Sequence, residues 1–590
     1  MHFLARLTAG RNISETFLSF DDNHEMQGAS NSISIPAINS IGRKDVIFDS
    51  GHAVFLGDPV FHTGDSGTLE QDLTHCRTGK ILRETDGFYY LLVLYHKERK
   101  LVISSGTFSI LPVFYCNNRN EILISSSFDL LASQYTGPGR EADRQYYVEK
   151  ALFNYPLFNR TPLKGISLLS SNSLIEYNDS GFQVKKHTCI HDFFTGNPVP
   201  WRDAKDETGD LFIEKAGDFI PAGEFAIAMT GGLDSRSVIG AASLKAPSYT
   251  GYTYGQARDQ DMKVASEIAG FLKLNFVPVI LDQKYAESHF WKYGLKFLSG
   301  SHGLGNISRA HYSYIAENYL DKFRFCLSGN FGSEILRSAK IPGVVTSASL
   351  FKAFSSTDRR NLVNELRTSS GLNYLNASVT DENLTLIAGE IDDYLKLMPS
   401  ELSLNQKFYT YVFEEVFRKY FGPEIVNQLP SVSHRAPFLC FSFIENVLKT
   451  GFAGANSEFM EANPLKRIQG QILHASIIQK TNPALLDFRL DRGYSPKDLL
   501  TGTGTARIIY AYLKKIRPDK QQHTGPGYLT LSVSDNIHRF QDLDFDDNIF
   551  DAAFINRMRR GEWISDQMNF INIMSAIIFS NMLDGTTVQD

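Results

Sequence analysis

The sequence predicts a two-domain α/β protein, with a β-rich domain first and a parallel-sheet domain with helical additions after it. Length is one reason: 590 residues are more than a single hydrophobic core organises. A change of pattern is another. Short β-rich runs separated by turns fill the chain up to about residue 190, whereas from about residue 204 strands alternate with longer helical periods. Alternating strands and helices assemble into a parallel sheet with helices on its faces. The third observation is a glycine turn set between a strand and a helix, the arrangement that cradles a phosphate.

In the first region, residues 89–95, 101–105, 113–116 and 122–125 read as strands, punctuated by turns such as Asn117-Asn118-Arg119-Asn120. Phe194-Thr195-Gly196-Asn197-Pro198-Val199-Pro200 is the best linker, so the expected domains are residues 1–195 and 204–590. In the second region residues 225–229, 250–254 and 276–281 read as strands. Between the last two, Met262, Ala265, Ile268, Ala269 and Leu272 form an apolar helical stripe. Beyond Ala339 the character is mostly helical.

Composition narrows the function classes. Hydrophobic residues make up 43% of the chain, and 59 basic against 65 acidic residues give a formal charge of −6 with no long run of one sign. Nucleic acid is therefore not expected as a partner. The opening Met1-His2-Phe3-Leu4-Ala5-Arg6 lacks the basic and apolar regions of a secretion signal, and no apolar run reaches the ~18 residues that span a bilayer. A cytoplasmic protein with no membrane partner is expected. The five cysteines are scattered and in no Cys-x-x-Cys arrangement, which suits neither a disulfide framework nor a zinc site.

The most informative segment is Thr230-Gly231-Gly232-Leu233-Asp234-Ser235-Arg236, which follows the apolar run Phe225-Ala226-Ile227-Ala228-Met229 and opens a helical stretch over residues 237–244. Two glycines let the backbone approach an anion, and turn amides and the helix end attract it. A Walker loop would need Gly-Lys-Ser/Thr, which is absent; an aspartate, able to hold magnesium, stands there instead. A glycine turn capped by Asp234 is the purely structural alternative. The segment resembles the Ser-Gly-Gly-x-Asp-Ser pyrophosphate loop of the asparagine synthetase family and other N-type ATP pyrophosphatases, with Thr230 in place of the first serine. The resemblance implies a PP-loop domain of the adenine nucleotide α-hydrolase kind, which cleaves ATP between its α and β phosphates with Mg2+.

Other segments match that family in order. Tyr252-Thr253-Tyr254-Gly255 resembles the stretch that covers adenine, and Asp261 falls in a further matching stretch. Cys326-Leu327-Ser328-Gly329-Asn330-Phe331-Gly332-Ser333-Glu334 is similar to the second signature, but Ser333 replaces the aspartate that shares the metal, leaving Glu334 beside it. Glu334 is either a replacement metal carboxylate or an acid placed at a helix start. Ser433-His434-Arg435-Ala436-Pro437-Phe438-Leu439 also matches. The family's phosphate-contacting lysine is absent in register; Arg492 is the nearest cation, either on phosphate or as an exposed loop arginine. His302 and the run Thr501-Gly502-Thr503-Gly504-Thr505 are weaker candidates, the latter better read as a helix cap.

The first region has its own likeness to the family's N-terminal-nucleophile (Ntn) glutaminase domain, an αββα layered fold. Asp86-Gly87-Phe88-Tyr89-Tyr90, Leu101-Val102-Ile103-Ser104-Ser105, Leu111-Pro112-Val113-Phe114-Tyr115 and residues 158–166 carry it. A working glutaminase of this type needs cysteine after the initiator Met, and here that residue is His2.

The resemblance implies an ATP-dependent ligase that adenylates a carboxylate substrate and releases AMP and pyrophosphate. Thr230, Gly231, Gly232, Leu233 and Ser235 would hold phosphates, Asp234 and Glu334 the metal, Met229, Tyr254, Ser328 and Gly329 the nucleotide, and Arg492 would act in catalysis. A peptide macrolactam cyclase of the lasso type, working on a precursor peptide beside a leader protease, is the preferred specific expectation. An asparagine synthase-type enzyme using ammonia or another amine, and a non-catalytic nucleotide- or partner-binding homologue, remain as alternatives.

Overall fold

The protein is described as a computed structural model covering residues 2–8, 17–20, 42–62, 68–118, 121–135, 141–246, 248–338, 347–356, 358–490, 493–516, 527–562 and 567–585. Its architecture is mixed α/β, with two antiparallel sheets and one parallel sheet. The antiparallel strands are β1 (Phe3–Thr8), β2 (Phe17–Phe20), β3 (Arg43–Phe48), β4 (Gly51–Phe61), β5 (Thr85–Tyr95), β6 (Lys100–Ser105), β7 (Phe114–Asn117), β8 (Glu121–Ser125), β9 (Ser167–Leu168), β10 (Ser173–Asn178) and β11 (Gly181–Lys186). One sheet has the order β2-β1-β8-β7-β9 and the other β11-β10-β6-β5-β4-β3.

Side-chain alternation explains how these sheets layer. Along β5, Tyr90 and Leu92 point into the space between the sheets, meeting Phe3 of β1, while Tyr89, Leu91 and Val93 point the other way. The outward set is covered by the helices Leu69–Thr74 and Thr78–Glu84, through Leu73, Ile81 and Leu82. On the far face of the five-stranded sheet, Phe114, Cys116 and Leu123 are covered by Phe128 and Leu131 of the helix Phe128–Gln134. The result is helix, sheet, sheet, helix.

The third sheet comprises β12 (Phe225–Ala228), β13 (Thr250–Gly255), β14 (Asn275–Ile280), β15 (Phe325–Leu327) and β16 (Ser433–Arg435), in the order β14-β13-β12-β15-β16 and parallel throughout. Phe225, Ala226 and Ile227 of β12 are wholly buried, as a central strand covered on both faces requires. The chain lays strands outward from β12 to β14, then returns to place β15 on the other flank of β12. That reversal opens a crevice at the carboxyl ends of β12 and β15.

The hydrophobic core does not divide at the expected boundary. One continuous cluster runs from Phe3, Leu56 and Ile103 through Ile227 and Phe417 to Ile578. The helix Gln567–Leu583, apolar nearly all round, is buried against the first region, with Phe579 packed on Phe128. Buried cations stitch the regions as well. Lys419 donates to the carbonyls of Pro156 (2.7 Å) and Phe158 (2.5 Å), and Lys150 to that of Gly305 (2.7 Å). The half-buried Arg435 likewise grips Asp58 of β4 with two parallel bonds of 2.6 and 2.9 Å. Among the described residues no helix is long and apolar enough to cross a membrane.

Candidate functional site

The reversal crevice is built from the heptapeptide after β12. Gly232 caps the helix Leu233–Lys245, which therefore starts four residues before the stretch expected from sequence, so Asp234 sits in its first turn. Side chains hold the turn itself: the Gly231 N–H donates to Asp261 Oδ1 (2.8 Å), the Gly232 N–H to Thr230 Oγ1 (3.1 Å) and the Thr230 N–H to Ser235 Oγ (3.2 Å). Ser235 is thus spent on shaping the loop. The first-turn amides of the helix have no intrahelical acceptor, and with the helix dipole they form the anion-attracting end.

Gly329, just past β15, lies against this helix start. A Cβ there would fall 2.6 Å from both Asp234 C and Ser235 N, so the crevice closes only with glycine at this position. Gly329→Ala is expected to push the helix start aside and destabilise the fold by about 1–3 kcal/mol; denaturant unfolding with unchanged stability would disprove the close packing.

Asp234 is the electrostatic centre. Its Oδ2 accepts from the Ser333 hydroxyl at 2.6 Å, and its Oδ1 from His474 Nε2 at 3.0 Å. Burial pushes this carboxyl up, but the hydrogen bond and charge of His474, the Ser333 hydroxyl and the charge of Arg337 outweigh it and hold the group below its ordinary value. Asp234 stays ionised. A cavity of about 240 Å3 opens beside it, lined by Thr230, Asp261, Ser333, Arg337, Gln471 and His474 among others.

The structure does not gather all the expected residues around that cavity. Thr230, Gly232, Leu233 and Asp234 line it; Met229, Tyr254, Ser328 and Glu334 do not. Met229 is fully buried, Tyr254 hydrogen-bonds Tyr312 (2.9 Å) and leans on His311, and Ser328 Oγ pairs with His434 Nε2 (2.8 Å). These three mark the carboxyl ends of β12, β13 and β15. Arg492 lies outside the described residues. His302 is buried against His2 and Phe114, away from the crevice, and Thr501 Oγ1 accepts from the Gly504 amide as a cap.

Glu334 occupies the first turn of the helix Gly332–Leu336, where the amides of Phe331 and Glu334 itself reach its carboxylate. This is the helix-start arrangement. Burial and the neighbouring charge of Asp234 raise it from the ordinary 4.5 to about 7. A carboxyl raised on folding favours its neutral form, so its contribution to stability is complete below the ordinary carboxylate range and is lost as pH rises through about 7. Glu334→Gln is expected to melt above the parent at about pH 8 and level with it below about pH 4; equal melting temperatures at both would show the carboxyl is not raised.

His474, Arg337 and Arg236 escaped the sequence reading. His474 comes from the helix Gln469–Thr481, brought close because a Cβ on Gly470 would sit 1.9 Å from the Leu336 carbonyl oxygen. A single histidine on a helix about 240 residues from the loop gives no sequence signal. Arg236 is wholly buried and ties Gly231 O (2.9 Å) to the carbonyls of Phe488 (2.6 Å) and Arg489 (3.0 Å). It stands inside the heptapeptide, and its burial follows from the tertiary packing around it.

No protein-family model matches the chain, and no curated protein does. Among solved structures, the glutamine phosphoribosylpyrophosphate amidotransferase of B. subtilis, complexed with ADP and GMP, matches at 8% identity. The match covers 47% of this chain and 59% of that one, with a TM-score of 0.16, too loose to bear on fold or function.

Proposed function

We propose that the protein is an ATP-dependent carbon–nitrogen ligase of the asparagine synthetase type, which adenylates a carboxylate, releases pyrophosphate, and passes the acyl group to an amine with loss of AMP. The observation that supports this best is the crevice at the β12/β15 reversal, where a helix N-terminus, an ionised aspartate and an arginine face one cavity. At about 240 Å3 the cavity is below the ~300 Å3 at which pockets enclose a drug-sized ligand. It suits the phosphates, with the base outside it toward Met229, Tyr254 and Ser328.

On this reading the first-turn amides of Leu233–Lys245 bind phosphate oxygens, and Arg337 supplies the cation that the absent lysine gives elsewhere. Asp234 is suited to magnesium, since each of its oxygens accepts one hydrogen bond and keeps further acceptor capacity. Magnesium would offset the charge of the departing pyrophosphate. His474 and Ser333 fix the carboxylate's direction. Glu334, turned to its own helix, is left out of the metal role.

The Ntn-like layered domain carries His2 where a glutaminase thiol would stand, which favours an acceptor amine from the substrate itself, as in a peptide macrolactam cyclase acting on a precursor peptide in the cytoplasm. The test is Mg2+-ATP titration followed by pyrophosphate and AMP assays with candidate carboxylates and peptides. No ATP binding by the intact protein overturns the ligase. The Ser333 hydroxyl, standing where a second metal carboxylate is expected and already bonded to Asp234, favours a second reading, a nucleotide-binding homologue without turnover. Tight ATP binding with no pyrophosphate release under any acceptor would select it.

A further inference from the structure

A second cluster, none of it lining the crevice, lies where the six-stranded sheet meets the segment after β16. His62 follows β4, Asp86 lies in β5, and Cys440 precedes the helix Phe441–Leu448. One ligand atom from each of the three lies within 4.8 Å of the others, and all three residues are buried. His62 Nε2 stands 2.7 Å from Asp86 Oδ2 and 4.0 Å from Cys440 Sγ.

The surroundings orient these atoms as a metal site requires. His62 Nδ1 is engaged by Asp218 Oδ2 at 2.8 Å, the outer carboxylate that fixes a ligating imidazole with Nε2 turned inward. Asp86 Oδ1 accepts from the Phe441 amide (3.0 Å) and the Thr107 hydroxyl (3.3 Å), which leaves Oδ2 facing His62. Buried imidazole, carboxylate and thiol converge, and each of the two titratable ligands with a second polar atom has that atom occupied.

We infer that His62 Nε2, Asp86 Oδ2 and Cys440 Sγ form a zinc site, with water in the fourth position, that clamps the antiparallel sheets to the parallel-sheet region. Nitrogen, oxygen and thiolate together select zinc among common divalent cations. Tetrahedral bonds of about 2.0–2.3 Å separate ligand atoms by about 3.3–3.6 Å, so the site forms with shifts of under about 1 Å. The ion takes the place of protons: the thiol gives up its hydrogen to solvent, and Nε2 binds zinc through its lone pair. Sequence spacing hides this site, because its ligands lie 24 and 354 residues apart. It is independent of the proposed ligase activity.

The test uses the full chain, stripped with a chelator and titrated with zinc alone against a chromophoric competitor, and with cobalt as a spectroscopic probe. One tight equivalent of zinc is expected, and cobalt should give a thiolate-to-metal charge-transfer band. Cys440→Ser should remove that band, and Asp218→Asn should weaken zinc about 10- to 100-fold while keeping it. Wild-type protein that takes up no zinc, or a cobalt spectrum without the sulfur band, overturns the inference. So does a band unchanged in Cys440→Ser. The wild-type spectrum decides the matter even where a variant fails to fold.

Discussion

On the ligase reading, Asp234→Asn is expected to abolish magnesium-dependent ATP binding while leaving the fold intact. The asparagine is nearly the same size, so packing in the first turn of Leu233–Lys245 changes little. The electrostatics change entirely. Asp234 is held ionised by His474, Ser333 and Arg337, and it is the acidic group of the cavity best placed for a cation. An amide cannot neutralise magnesium, and its NH2 group would meet donors from Ser333 or His474 where an acceptor stood. Loss of one charge-assisted interaction on each side of the metal should exceed about 2.8 kcal/mol, or about 100-fold in affinity. Calorimetry with and without magnesium measures it. Equal isotherms for parent and variant would remove Asp234 from any metal role and leave only the glycine-turn reading of the heptapeptide.

Arg435→Ala is expected to destabilise the whole chain by about 1–3 kcal/mol, the cost of leaving a half-buried carboxylate without its hydrogen-bonding partner. Arg435 makes the two bonds to Asp58, a third to the Phe219 carbonyl (2.9 Å), and covers the Phe325 ring at 4.3 Å. Both partners are shielded, with side-chain exposures of 12% and 14%. Asp58→Asn combined with Arg435→Ala should cost less than the two single changes added, because each removes the other's unpaired charge. Denaturant unfolding measures both. Because one core joins the two regions, a single transition is expected, shifted as a unit. A shift below about 1 kcal/mol, the range of an exposed pair, would show the contact to be superficial.

Much of the fold was legible in local pattern. The β-rich composition of residues 89–95 and 101–105 anticipates β5 and β6, and the stripe at Met262, Ala265, Ile268 and Ala269 falls in the helix Gln260–Phe271. Short-range periodicity reports which face of an element is apolar, and these elements are regular enough to show it. The heptapeptide was legible for the same reason. Strand, turn and helix are contiguous there, although the helix starts at Leu233 rather than near residue 237 and its cap is Gly232, with Asp234 in the first turn.

What completes the site was not legible. His474 reaches Asp234 only because Gly470 lets one helix touch the carbonyl of Leu336, and Ser333 meets it only because the chain reverses at β12 and lays β15 alongside. The boundary near residues 195–204 looked like the edge of a domain because linker composition is a local property. The core crosses it, since Phe579 packs on Phe128, and Leu304 shares their cluster. His62, Asp86 and Cys440 make the same point: no spacing rule joins them, and the sequence reading set the cysteines aside. Several strands, one helical stripe and one anion-attracting turn follow from local sequence, because those depend on neighbours along the chain. Only the tertiary structure decided which charges face Asp234, that Glu334 turns to its own helix, and that the two regions share a core, because burial and electrostatics act through space.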